Sequence, residues 1–179
     1  ALVCPFGGVA MANRQILYRV DLKTYEKKPV YISGGAINYW NCSPDGKYVV
    51  FFESNCPIDL WFDWKREDPL YDKLIMFQLN LLNMETGKVV KLREGIKNCL
   101  DESSLPVFSP NSEKLAWSEY TLKKIRGKKG YEYDQSMLLI RTLKDGKQVS
   151  YVRTNGPDYI YSRIHWIDDE HILYDYFLK

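Results

Sequence analysis

Several features are scarce in this chain, and each scarcity removes a class of function. No stretch is long and apolar enough to cross a bilayer as a helix. The four cysteines, Cys4, Cys42, Cys56 and Cys99, form no Cys-x-x-Cys pair. The two histidines, His165 and His171, lie far from all of them in sequence. A zinc site of standard spacing is therefore unsupported, and the motifs imply no other cofactor. Net charge is scarce too: 25 basic residues against 23 acidic ones leave a formal +2, which gives no basis for binding nucleic acid by bulk charge. No 3.6-residue apolar period is evident, so little helix is expected.

What is present suits strands. The chain has 179 residues, enough for one domain with a real core. Aromatics make up 15% of it, with 14 tyrosines, and flat rings pack well across a pleated surface. The first twelve residues are small and apolar and end in Ala10-Met11-Ala12, the form of a signal cleavage site. A basic n-region is absent and the apolar run is short, so a buried strand is the preferred reading.

Internal repetition is the informative feature. Three segments read alike: Tyr39-Trp40-Asn41-Cys42-Ser43-Pro44-Asp45-Gly46-Lys47 followed by Tyr48-Val49-Val50-Phe51-Phe52, Pro106-Val107-Phe108-Ser109-Pro110-Asn111-Ser112-Glu113-Lys114-Leu115-Ala116-Trp117, and Ile164-His165-Trp166-Ile167-Asp168-Asp169-Glu170-His171-Ile172-Leu173-Tyr174. Each has an aromatic, a short turn, then an apolar strand. Pro44 presets φ for the first corner of a tight turn, and Asp45 and Gly46 tolerate the conformations that follow. Strands joined so tightly pair antiparallel. Two further strands and a turn lie between copies, at 74–92 and 137–152, and a similar pair lies upstream at 16–32.

The unit is strand a, turn, strand b, loop, strand c, turn, strand d. Such a unit covers its faces only against other copies of itself. The run Ser43-Pro44-Asp45-Gly46-Lys47 before Tyr-Val-Val-Phe-Phe resembles the blade repeat of TolB-type propellers, which also occurs in the propeller domains of prolyl-oligopeptidase-type peptidases. The resemblance covers nearly the whole chain as about three blades. It implies an all-β β-propeller of four-stranded antiparallel blades and an extracytoplasmic setting, periplasmic or secreted. The peptidases' hydrolase domain is not indicated, because no Gly-x-Ser-x-Gly elbow occurs.

On this reading residues 1–179 form one partial propeller domain, with blades at about 39–92 and 105–152 and half-blades at 16–32 and 161–177. Three blades are fewer than the usual four to eight. Either two chains join head to tail, each C-terminal hairpin completing the other's N-terminal blade in a six-bladed ring, or the chain is one part of a larger propeller.

The b–c and d–a loops should emerge on one side of the blades. Two long b–c loops are expected there. The first, 53–72, carries six acids, two bases and Trp61, Phe62, Trp64 and Tyr71. The second, 121–135, carries Lys123, Lys124, Arg126, Lys128 and Lys129 with Tyr131 and Tyr133. Rigid rings beside opposite charges fit a protein-recognition surface, and they equally fit loops that fold down and cap the blades. Cys56 and Cys99 should share this side, as a disulfide or as two packed thiols. No catalytic residue is assigned: Asp168, Asp169 and Glu170 sit where turns favour acids, and neither histidine has a nucleophile at a telling position. A non-catalytic scaffold that binds protein is the expected role. A component of a carbohydrate-active or peptidase-type enzyme, or a structural self-assembling subunit, is the alternative.

Overall fold

The computed structural model describes residues 2–3, 15–54, 76–97, 105–124, 131–153 and 161–176. All regular structure among them is β-strand, and every strand pairing is antiparallel. Strands β4 (Ala36–Cys42), β5 (Tyr48–Ser54), β6 (Met76–Asn83) and β7 (Val89–Lys97) form a sheet in chain order. So do β8 (Val107–Phe108), β9 (Lys114–Lys124), β10 (Tyr131–Thr142) and β11 (Gln148–Arg153). These are two complete blades. Before them, β1 (Leu2–Val3), β2 (Ile16–Val20) and β3 (Lys27–Ile32) make a three-stranded sheet; after them, β12 (Tyr161–Trp166) and β13 (Ile172–Tyr176) make a hairpin.

The burial of strand b shows how the blades stack. Val49, Val50, Phe51 and Phe52 are all fully buried, as are Leu115, Ala116 and Trp117. A strand buried on both faces reads as a continuous apolar run, because successive side chains point to opposite sides. Val49 and Phe51 pack with Leu17 of the N-terminal sheet and with Ile37 and Leu82. Val50 and Phe52 face the other way, packing with Phe108, Leu115 and Trp117 of the second blade. Ala116 and Leu138 pack in turn on Ile164 of the C-terminal hairpin. The core is thus a series of layers between blades. Each buried ring or aliphatic side chain in it contributes about 1.5–3 kcal/mol.

Two kinds of turn repeat along the chain. In the a–b turn of the first blade, the Ser43 hydroxyl accepts from Tyr48 N–H at 2.9 Å and donates to Asp45 Oδ1 at 2.6 Å, and Asp45 Oδ1 accepts from Lys47 N–H at 3.0 Å. The second blade reproduces this with Ser109 and Asn111: Lys114 N–H to Ser109 Oγ at 2.9 Å, Ser109 Oγ to Asn111 Oδ1 at 2.8 Å, Glu113 N–H to Asn111 Oδ1 at 3.0 Å. Ser112 (φ 65°) takes the left-handed conformation of Gly46 (φ 72°). These turns also clasp neighbouring blades. The Asp45 amide donates to Ser112 Oγ at 3.1 Å, and the Asn111 amide donates to Asp169 Oδ1 at 2.8 Å. The same corner amide thus bonds to the next turn at both junctions.

The c–d turn is a second repeat: Asp21-Leu22-Lys23-Thr24-Tyr25-Glu26, Asn83-Met84-Glu85-Thr86-Gly87-Lys88, and Thr142-Leu143-Lys144-Asp145-Gly146-Lys147. In each, the amide of the fifth residue bonds to the carbonyl of the first, at 2.7, 2.9 and 3.0 Å. That fifth residue has φ near +60 to +71°, which suits Gly87 and Gly146 and strains Tyr25. A left-handed conformation costs an ordinary residue roughly 1–2 kcal/mol. The Tyr25 side chain is exposed, so its removal loses little packing. Tyr25→Gly should therefore raise stability by up to about 1 kcal/mol after glycine's own entropic cost, and Gly87→Ala should lower it by about as much. Urea unfolding of the two variants checks both signs.

Candidate functional site

Near the end of β5 and midway along β9, the repeat places a glutamate: Glu53 and Glu119, each ten residues after the serine of its turn. Both are buried. The Glu53 carboxylate accepts five hydrogen bonds. Gly34 N–H and Gly35 N–H reach Oε1 at 2.6 and 3.2 Å. Tyr31 Oη, Gln78 Nε2 and Asn80 Nδ2 reach Oε2 at 2.8, 3.1 and 2.9 Å. These donors come from β3, from the 33–35 connector and from β6, so one side chain ties three segments together. Among the described residues its charge is met by dipoles, and a buried carboxylate survives on such terms only when its lone pairs are filled.

The connector is held from its other side by Gln15. Ile37 N–H donates to Gln15 Oε1 at 2.6 Å, Gln15 N–H to Ser33 Oγ at 2.7 Å, and Ser33 N–H to the Gln15 carbonyl at 2.8 Å. The second glutamate is bound differently. Glu119 Oε1 accepts from Trp117 Nε1 at 2.8 Å, and Oε2 accepts from Arg93 Nε at 3.2 Å. Arg93 is half exposed and lies on β7. At both junctions, then, the outermost strand of one blade reaches the strand-b glutamate of the next: Tyr31 to Glu53, Arg93 to Glu119. Burial, followed by the hydrogen bond from Tyr31 to Glu53 and the nearby charge, pushes the Tyr31 phenol well above its usual value.

Every Glu53 lone pair in this shell is engaged by the protein itself, which is the arrangement of a structural pin. The carboxylates of the a–b turns are engaged too. Asp45 is held below its usual value first by the Ser43 hydroxyl. Asp168 is held below it by the Glu170 amide and then by His171, whose Nδ1 lies 2.9 Å from Asp168 Oδ1.

The second of the expected long loops is in part a ribbon. β9 and β10 stay paired out to Lys124 opposite Tyr131, through Lys123 opposite Glu132 and Leu122 opposite Tyr133, with an irregularity between Tyr133 and Gln135. Among the described residues, their sheet neighbours pair over less of that length. β8 reaches only Ala116 on β9, and β11 reaches only Ser136 on β10. The outer halves of β9 and β10 therefore extend beyond the blade as a two-stranded arm that carries Lys123, Lys124, Tyr131 and Tyr133. Trp61, Phe62, Trp64, Tyr71 and Arg126 lie outside the described residues, as do Cys56 and Cys99. Cys42 is half-buried on β4, and burial pushes its thiol up. Glu53 and Glu119 had a legible signal only in their shared ten-residue spacing from the turn serines, and Tyr31 and Arg93 had none.

No family model matches the chain, and no curated protein matches it in sequence. Solved structures do resemble it. The tricorn protease structure is 15% identical with a TM-score of 0.53, over 89% of this chain and 17% of that one. A putative TolB from Agrobacterium tumefaciens is 12% identical with a TM-score of 0.46, over 92% of this chain and 50% of that one. An acylaminoacyl peptidase in complex with Z-Gly-Gly-Phe-chloromethyl ketone is 10% identical with a TM-score of 0.42, over 94% and 32%. The chain spans half or less of the length of each. The likeness is one of fold, that of a β-propeller built of four-stranded blades. Among the described residues no helix is long and apolar enough to cross a membrane.

Glu53→Gln places an amide N–H₂ against filled donors and should cost about 3 kcal/mol; Glu119→Gln, with two bonds and a half-exposed partner, should cost about 1. Chemical denaturation measures both. Because the Tyr31 phenol is raised in the fold, its contribution is intact below the unfolded value of about 10 and is lost as pH rises beyond it. The wild type should thus lose stability more steeply above about pH 10 than Tyr31→Phe, as followed by alkaline unfolding curves.

Proposed function

We propose that this chain is a non-catalytic propeller scaffold that binds a protein partner through the side where the long b–c connections emerge. The observation that carries this reading is the arm formed by β9 and β10. A blade needs strands only as long as its neighbours to cover its faces, and among the described residues β9 and β10 continue past β8 and β11 on that side alone. A projecting two-stranded ribbon offers backbone edges and alternating side-chain positions to a partner, the geometry of strand-mediated recognition. Its sequence supplies the residue types of protein interfaces, with Tyr131 and Tyr133 as rings of low conformational entropy and Lys123, Lys124 and Arg126 as charges that steer an acidic partner. The first long segment, with Trp61, Phe62, Trp64 and Tyr71 amid acids, would complete the same surface.

Glu53 and Glu119, the buried acids of β5 and β9, are committed to joining blades, which favours binding over acid–base chemistry there. The resemblance to TolB-type propellers supports a setting outside the cytoplasm, periplasmic or secreted.

The test is a variant in which 123–132 is replaced by an Asn-Gly turn, so that the hairpin closes at Leu122 opposite Tyr133. It should melt within about 2 °C of the wild type, since the shortened part lies beyond the blade, and should lose at least tenfold in affinity for a partner captured by the wild type and identified by mass spectrometry. Unchanged affinity, or turnover of peptide or glycoside substrates by the purified protein, would sink the proposal.

A further inference from the structure

At the end of the strands where the c–d turns lie, the two complete blades leave a groove of about 360 Å³ between them. That volume is in the range of small-molecule sites. One wall is the face that β6 and β7 turn toward the second blade, and the other is the C-terminal end of β10 with its turn. The walls carry apolar surface: Leu81, Val90 and Leu92 from the first blade and Leu143 from the second. Val90 is 43% exposed there, so the stacking of the blades does not cover it.

The polar groups around this surface are of one kind. The side-chain acceptors are engaged inside the first blade's c–d turn. Asn83 Oδ1 accepts from the Glu85 and Thr86 amides at 2.9 Å each, and Thr86 Oγ1 accepts from the Lys88 amide at 3.3 Å. What remains are donors: the Arg141 guanidinium, the Lys88 ammonium, the Asn83 Nδ2 group and the Tyr48 hydroxyl. Among the described residues none of these four has a hydrogen-bond or ion-pair partner, and no carboxylate borders the groove.

Arg141 separates this groove from the equivalent place one junction earlier. It is the residue just before the c–d turn of the second blade, and its counterpart in the first blade is Leu82. Leu82 is fully buried and packs with Leu17 and Val49, so an apolar side chain at this position closes the preceding junction. The blade architecture therefore does not call for a cation here. Arg141 is half-buried nonetheless, and a Cβ at position 146 would lie 3.0 Å from its Nη2. The guanidinium thus rests against the bare backbone of Gly146, and the turn sets its position. A half-buried guanidinium without an acceptor is a group whose hydrogen bonds a ligand can complete.

We propose that this groove binds a small organic carboxylate, with its anionic end on Arg141 and Lys88 and its apolar body along Leu81, Val90, Leu92 and Leu143. The planar fork of a guanidinium matches a carboxylate through two parallel N–H···O bonds. The apolar walls favour an anion that brings a hydrocarbon body over an inorganic one, which would leave Val90 and its neighbours in water. The groove lies at the opposite end of β10 from the β9–β10 arm, so the arm-shortened variant should bind the same ligand equally well.

The test uses the whole chain and three probes, hexanoate, phenylacetate and 4-phenylbutyrate, each beside its neutral amide, with inorganic phosphate as an anion that has no apolar body. Titrations of isotope-labelled protein are followed by two-dimensional NMR. At least one carboxylate should bind with a Kd of about 1 mM or tighter and should move the amide signals of Thr86, Lys88 and Gly146. Its amide, and inorganic phosphate, should bind at least about tenfold more weakly. Arg141→Gln should weaken binding at least about tenfold and Lys88→Gln about threefold. Val90→Asp changes an exposed position and leaves the core intact. It should abolish binding at an unchanged melting temperature, because it puts a carboxylate into the groove. Failure of all three carboxylates to bind overturns the proposal, as do equal binding of the amide or of inorganic phosphate, shifts confined to other parts of the chain, or undiminished binding by Val90→Asp.

Discussion

The carboxylate of Glu53 is the constraint around which the first blade is arranged. It is buried, and five donors from the described residues converge on it, two of them amides of the connector that leads into β4. Moving that connector would take away the two amides that bond to Oε1. Moving β3 or β6 would remove Tyr31, Gln78 or Asn80 from it. The entry of the chain into the blade, the spacing between neighbouring sheets and the alignment of β6 are set by one side chain. Glu119 repeats the scheme with fewer bonds, exchanging dipoles for the Arg93 guanidinium and the indole of Trp117.

These glutamates staple one end of each junction, and the turns staple the other. Between the two ends lies the apolar layer built from alternate residues of strand b. The division of labour is physical. Apolar burial supplies most of the stabilisation but has no directional preference, so two sheets greased against each other could slide. Hydrogen bonds at both rims contribute less and are directional, so they fix the offset. A stack of blades needs both, since an error in offset at one junction would propagate to the next.

Much of this was legible before the fold was known. The Ser-Pro-Asp-Gly run announced its turn because each residue has a separate conformational reason to be there, and the continuous apolar runs after it announced central strands. The c–d turn was harder to recognise as a repeat, because Tyr25 stands where Gly87 and Gly146 stand and hides the common left-handed position. Glu53 reads in sequence as the first polar residue of a loop, yet it is the penultimate residue of β5. Charge at a strand end looks like a solvated terminus unless its donors are known, and Tyr31, Gln78 and the Gly34 and Gly35 amides come from segments 18 to 25 residues away. Lys123 and Lys124 suggested a loop because lysine next to glycine-rich sequence lacks strand character. Pairing with β10 overrides that local preference. The aromatic residues of the 53–72 segment remain known from sequence alone.

Ser112 carries two duties that Gly46 divides with other residues. It holds the left-handed corner of its own turn, and its hydroxyl receives the Asp45 amide of the preceding blade. Replacing it by glycine would relax the backbone and strip the neighbouring blade of its acceptor in the same step. The two turns are therefore coupled through one side chain, and a change at this corner is felt in both blades at once.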